Sequence, residues 1–162
     1  MADTIKIKKG FDINLAGKAE QKIGKVDQAK TFAIKPTDFL GMVRPKVLVQ
    51  VGDVVKAGTP LLFDKTMDDV LYTSPVSGEV VEVKRGDKRK LLEIVILADS
   101  HIEYEGFNKY SVSEVSTISK EEALDSIKKS GIWPQIIQRP YGVVANPSNA
   151  PRAIFISTFD SS

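Results

Sequence analysis

Between Lys30 and Leu97 the apolar residues come in short runs: Phe32-Ala33-Ile34, Val47/Val49/Val51, Leu61-Leu62-Phe63, Val70-Leu71-Tyr72, Val80/Val81/Val83 and Leu92/Ile94/Ile96. Gly-Asp, Ala-Gly, Ser-Pro and Ser-Gly pairs cut these runs apart before any reaches helical length. Strong β-formers at period two, punctuated by turn residues, predict many short strands folding tightly around one small core as a barrel or sandwich. Val49-Gln50-Val51-Gly52-Asp53 recurs as Val83-Lys84-Arg85-Gly86-Asp87, 34 residues on. Two readings stay open: approximate two-fold repetition within a sandwich, or a common turn dipeptide used twice.

The pattern changes on either side of this block. Thr4 to Lys9 alternates polar residues with Ile5 and Ile7 and predicts a short amphipathic strand, and Phe11 to Gln28 reads as loop and short strand. Asp99 to Ile118 is a polar connector. Ser119-Lys120-Glu121-Glu122 then has the form of a capping box opening a helix to about Ser130. Ala123, Leu124 and Ile127 form its buried face, Lys128 and Lys129 sit at its negative end, and Gly131 stops it. Ala153-Ile154-Phe155-Ile156-Ser157-Thr158 reads as a buried strand of a parallel sheet. Only four residues follow, too few for the crossover helix such a strand needs, so the chain is expected to stop inside a second domain. The expected organisation is a segment 1–29, a β domain 30–110 and the opening of an α/β domain 111–162. The fold class is α+β.

Composition excludes several kinds of chemistry. Zero cysteines remove disulfides, thiolate metal ligands and cysteine nucleophiles, and one histidine, His101, cannot supply a histidine metal cluster. Twenty-three Lys and Arg against twenty-one Asp and Glu leave a net charge of +2, too little to expect nucleic acid as a partner. Leu91 to Ala98, the longest strongly apolar stretch, has eight residues and contains Glu93, against roughly 20 for a membrane-spanning helix. Met1 to Gly10 lacks the apolar region of a signal peptide. A soluble or membrane-peripheral protein is expected, and there is no GxGxxG, P-loop or HExxH.

Two groups of residues stand out. Lys84, Arg85, Lys88, Arg89 and Lys90 put five cations in seven residues around Gly86-Asp87. This is either a solvated hairpin tip or an electrostatic dock for an acidic partner or anionic headgroups. Trp133, Arg139 and Tyr141 lie near two prolines, where an aromatic and a guanidinium either pack structurally or clasp a planar carbonyl compound.

Val51 to Leu61, followed by Ser74-Pro75-Val76-Ser77-Gly78-Glu79-Val80, resembles the barrel-sandwich hybrid fold of biotinyl and lipoyl carrier domains. In those carriers a hairpin-tip lysine stands about eight residues before the proline. Here that position is Met67, and Lys65 is two residues too early, which argues against an attached prosthetic group.

A more extensive resemblance is to the A-subunit family of the Na⁺-translocating NADH:quinone reductase. It is carried by Lys8-Lys9-Gly10-Phe11-Asp12, Gly41-Met42-Val43-Arg44-Pro45, Phe63-Asp64-Lys65, Ser74 to Gly78, Arg85 to Arg89, Ser130-Gly131-Ile132-Trp133, Arg139-Pro140-Tyr141, Ala153 to Ile156 and Phe159-Asp160, in that order. The resemblance implies a barrel-sandwich hybrid leading into a Rossmann-like α/β domain. It implies a peripheral subunit on the cytoplasmic side of the bacterial inner membrane, with no covalent cofactor of its own. NAD and flavin belong to other subunits, membrane subunits of the complex are the partners, and quinone is the substrate in view. Carried onto this chain, a quinone site falls on Phe39, Gly41 and Met42 and on Trp133, Arg139 and Tyr141, which offer apolar walls and polar groups for the carbonyls. The alternatives are a biotinyl or lipoyl carrier, or an assembly adaptor of the same fold.

Overall fold

The computed structural model describes residues 9–10, 16–18 and 20–157. The strand expected over Thr4 to Lys9 lies, apart from Lys9, outside them, and residues 20–29 form no strand.

Seven strands build the β domain. They are β1 (Thr31–Ile34), β2 (Pro45–Val47), β3 (Val54–Val55), β4 (Pro60–Asp64), β5 (Met67–Thr73), β6 (Gly78–Arg85) and β7 (Leu91–Ala98). They form two antiparallel sheets, one in the order β1-β7-β6-β3 and the other β2-β4-β5. The inner faces meet in one core of Ile34, Val55, Leu61, Leu62, Val70, Tyr72, Val76, Val80, Leu91, Ile94 and Ile96. Sequence periodicity predicts short strands around one such core, with corrections at β2, where Val49 and Val51 lie beyond the strand and Val51 is exposed in a turn, and at the phases of two other strands. In β6, Val80 pairs with Ile96 and Glu82 with Val95, so Val81 is an inserted bulge residue and faces outward. In β7, Leu91 pairs with Arg85 and Glu93 with Lys84, which makes Leu92 the extra residue and turns Leu91 inward instead.

The two Gly-Asp turns are not equivalent. Gly52 is left-handed (φ +94°) in a turn where the Gln50 amide donates to the Asp53 carboxylate, whereas Gly86 has φ −101° and leads into a 3-10 turn. The β4–β5 hairpin also departs from the carrier comparison. Asp64 pairs with Met67 and Phe63 with Leu71, so Asp68, Asp69 and Val70 are taken up as a bulge. The tip is therefore Lys65-Thr66, while Met67 is half-buried and packs on the core.

Beyond the β domain a short helix, α1 (Val112–Val115), interrupts the expected connector. The reciprocal capping box is found here: Ser111 accepts from the Glu114 amide and the Glu114 side chain accepts from the Ser111 amide. Helix α2 (Lys120–Lys129) begins where the sequence places it, with Ser119 accepting from the Glu122 amide, and ends at Ser130-Gly131. Its face of Ala123, Leu124 and Ile127 is half-buried rather than buried, because it lies across β5 at the edge of the sheet. Lys128 reaches Asp69 of β5 at 2.7 Å. A two-stranded hairpin, β8 (Ile137–Gln138) and β9 (Val143–Val144), follows. Residues 153–157 are not strand: Ile154, Phe155 and Ile156 are exposed, since no described strand pairs with them and a parallel strand is stable only between neighbours. Among the described residues no helix is long and apolar enough to cross a membrane.

Candidate functional site

Pro36 fixes the start of a 3-10 turn, Pro36–Asp38, closed by bonds from the Asp38 amide to Lys35 O and from the Phe39 amide to Pro36 O. The turn aims Phe39 at the core, where its ring meets that of Tyr72 edge-on, 4.6 Å between centroids and 70° between planes. The chain reverses at Gly41, whose φ of +91° few other residues tolerate.

A second element comes from the far end of α2. Gly131 (φ +78°) lies so close to β5 that a Cβ there would stand 2.1 Å from Thr73 Oγ1, so the helix can leave over the sheet only through a glycine. A 3-10 turn, Trp133–Gln135, then buries Trp133, whose Nε1 donates to Ala145 O at 2.7 Å and ties the turn to the segment after β9. The loop between β8 and β9 carries Arg139 and Tyr141 and a cis Arg139–Pro140 bond.

These elements meet. The Val144 amide donates to Leu40 O at 3.0 Å, and a Cβ on Gly41 would lie 2.9 Å from Val143 Cβ. Between them opens a cleft of about 470 Å³ lined by Asp38, Phe39, Leu40, Pro134, Gln135, Ile137, Arg139, Gly142 and Val144. A second, of about 340 Å³, lies on the other side of Phe39 and Pro134 and reaches Lys35, Tyr72 and Ser74. Both volumes fall in the range of small-molecule sites.

The two stretches singled out in the sequence are thus brought together, but not all their residues face the clefts. Phe39 borders both and Arg139 borders the larger. Gly41 acts through close backbone approach, and Met42 is half-buried against the core. Trp133 is spent on packing and its bond to Ala145, and Tyr141 is exposed to solvent. Leu40, Gln135 and Ile137, which also line the larger cleft, lie within the stretches 39–42 and 133–141 to which the resemblance points, without being singled out there, whereas Tyr72, absorbed into a core strand, is missed.

At the end of β4, Asp64 is wholly buried. One carboxylate oxygen accepts from the amides of Val43 (2.5 Å) and Arg44 (3.1 Å), the other from the Thr66 amide (2.8 Å) and hydroxyl (2.6 Å). Burial pushes its pKa up, but the bonds from Thr66, Arg44 and Val43 outweigh that and hold it below the ordinary 3.8. Tyr72 is pushed up to about 12 by burial and, secondarily, by the Asp64 charge.

On the opposite hairpin the five cations divide. Lys84 pairs with Glu93 at 3.0 Å, which raises its pKa, and the Arg85 guanidinium donates to Arg89 O at 3.3 Å. Lys88 and Arg89 are held left-handed (φ 53° and 61°), and with Lys90 they are exposed and make no ion pair among the described residues.

Two packed antiparallel sheets joined by tight turns, with an α/β segment laid across one edge, define a barrel-sandwich hybrid protein with a cleft at the junction. Residues 5–99 match the family model of the NqrA N-terminal barrel-sandwich hybrid domain, and residues 118–162 that of the NqrA second alpha/beta domain. The chain belongs to the NqrA family. Similar proteins include the Na(+)-translocating NADH-quinone reductase A-subunit of Pseudomonas aeruginosa (strain UCBPP-PA14), 37% identical over 97% of this chain and 35% of the relative. Those of Marinomonas sp. (strain MWYL1), 36% identical over 96% of this chain and 35% of the relative, and of Yersinia pseudotuberculosis, 38% over 97% and 35%, bear the same name. The chain spans about a third of the length of these relatives, 35% in each case.

Proposed function

We propose that this chain serves in a Na⁺-translocating NADH:quinone reductase as part of a peripheral subunit on the cytoplasmic face of the inner membrane, and that its clefts hold the quinone. The observation that carries this reading is the junction itself: Phe39 and Leu40 from the β domain and Ile137 and Arg139 from the α/β segment enclose one cleft. Apolar walls suit a planar ring, and a guanidinium and the Gln135 amide suit its carbonyls. We divide the chain as 1–29, 30–110 and 111–162, which puts this cleft between the last two parts.

In this reading the chain carries no cofactor. NADH is oxidised and flavin is held by other subunits, and this chain positions the acceptor. Lys88, Arg89 and Lys90 dock an acidic surface of a membrane subunit, since three free cations on one tip attract carboxylates at physiological salt.

Titration of the 162-residue chain with a soluble short-chain benzoquinone tests the reading, followed by quenching of its one tryptophan, Trp133, next to Pro134 of the cleft. Saturable quenching is expected, weakened about tenfold or more by Arg139→Ala if that side chain holds a carbonyl. A non-saturable response in the wild type refutes quinone binding. Lys88→Glu/Arg89→Glu/Lys90→Glu is expected to prevent assembly into the complex and to leave that titration unchanged.

A further inference from the structure

Tyr72 is the one residue among those described with a buried side-chain polar atom lacking a hydrogen-bond partner. The residue is 1% exposed, and phenylalanine would fill the same core without stranding a hydroxyl. A hydroxyl taken out of water with nothing in return is a standing cost that folding alone does not repay. The nearby Asp64 does not relieve it, because both carboxylate oxygens already accept two bonds each from Val43, Arg44 and Thr66.

Tyr72 also lines the smaller cleft, and Phe39, which packs edge-on against its ring, borders both clefts. The hydroxyl itself is enclosed in the free protein, so a planar molecule seated against Phe39 reaches it by displacing the side chains packed over it. We propose that the Tyr72 hydroxyl is a ligand-binding group, donating a hydrogen bond to a carbonyl oxygen of the molecule held in the clefts. The inference rests on the reading of the clefts as a quinone site and adds to it the residue that selects a carbonyl. Burial and the Asp64 charge keep the hydroxyl protonated, hence a donor, throughout the physiological pH range. An isosteric arene without an acceptor would leave it unpaired, so the site discriminates between the two by more than shape.

The test compares the wild-type chain with Tyr72→Phe in three measurements. In the benzoquinone titration the variant is expected to bind about tenfold more weakly, the loss of one hydrogen bond to a buried hydroxyl. A benzene bearing the same substituents but hydrogen in place of the carbonyl oxygens is expected to bind both proteins equally. In the absence of ligand the variant is expected to melt no lower than the wild type. Infrared spectra of bound quinone supply a readout that does not need the variant to fold: a carbonyl stretch lowered on binding to the wild type is expected. Equal quinone affinity of the two proteins, a lower melting temperature of the free variant or an unshifted carbonyl stretch each overturns the assignment and leaves quinone binding standing. A wild-type chain that binds no quinone overturns both.

Discussion

Replacing Asp64 by asparagine keeps the shape of the side chain and removes half of its acceptor capacity. The carboxylate takes two backbone amides on one oxygen and the amide and hydroxyl of Thr66 on the other. Asparagine offers one oxygen. Placed towards Val43 and Arg44, it turns its NH₂ onto the Thr66 amide, and only the Thr66 hydroxyl can rotate to accept. One charge-assisted bond is lost outright, worth about 1.5–3 kcal/mol. The two that survive become neutral, while relief from burying a charge offsets part of this, giving a net loss of about 2 kcal/mol. For a chain of this size that lowers Tm by about 4–8 °C. The assay is thermal melting by circular dichroism at pH 7, repeated at falling pH. Because the folded Asp64 has a pKa below its ordinary 3.8, its contribution is complete above the unfolded value and disappears as pH drops through the folded one. The gap between wild type and variant should therefore close only below about pH 4. Amide exchange at Val43 and Arg44 should quicken in the variant, since Asp64 is what holds those amides. A variant melting within about 1 °C of the wild type at pH 7, or a gap unchanged in acid, would refute the account of Asp64 as the clasp of this loop.

Gly41→Ala combines a left-handed φ of +91° with a Cβ 2.9 Å from Val143 Cβ; about 2 kcal/mol of destabilisation and weaker quinone quenching are expected, measured by melting and by Trp133 fluorescence. Gly131→Ala collides with Thr73, 2.1 Å from its Oγ1; the double variant with Thr73→Ala should recover about 1 kcal/mol or more of the loss in a double-mutant cycle. Burial and the Asp64 charge raise the Tyr72 hydroxyl from 10.0 to about 12 by penalising its ionised form, so stability is unaffected by this group below about pH 10 and falls as pH climbs towards about 12, and alkaline melting should destabilise the wild type relative to Tyr72→Phe across that interval. Intact mass spectrometry of the chain from its native host should show no biotinyl or lipoyl addition; an adduct on Lys65, which the hairpin places at its tip, would instead support a carrier.

Most of the β domain is legible in the sequence because burial on alternate residues and glycine- or proline-bearing turns both leave a local mark. Five of the six apolar runs become β1, β4, β5, β6 and β7; of Val47/Val49/Val51 only Val47 lies in β2, and β3, two residues long, leaves no run of its own. The errors of phase arise at Val81, Leu92 and Asp68 to Val70, all bulges. A bulge inserts residues without changing composition, so alternation read along one strand cannot reveal it; the partner strand fixes the phase. Ile154 to Ile156 misleads for a related reason. An apolar run has the same composition whether paired or not, and here no described neighbour offers it a ladder.

The site shows how the same limit bears on function. Family resemblance points to two stretches about ninety residues apart, and folding joins them through the Val144 amide on Leu40 O and the contact of Gly41 with Val143. Which side chains face the space so formed depends on that joining and not on either stretch. Trp133, the most conspicuous aromatic, turns its Nε1 to Ala145 and away from ligand chemistry, whereas inconspicuous Leu40, Gln135 and Ile137 line the cleft. Tyr72 is hidden more deeply still. In β5 its position alternates correctly for a core residue, and it is one; what sets it apart is a hydroxyl that its surroundings fail to satisfy. No pattern of apolar residues records that, because an unsatisfied donor is a relation between an atom and every group packed around it.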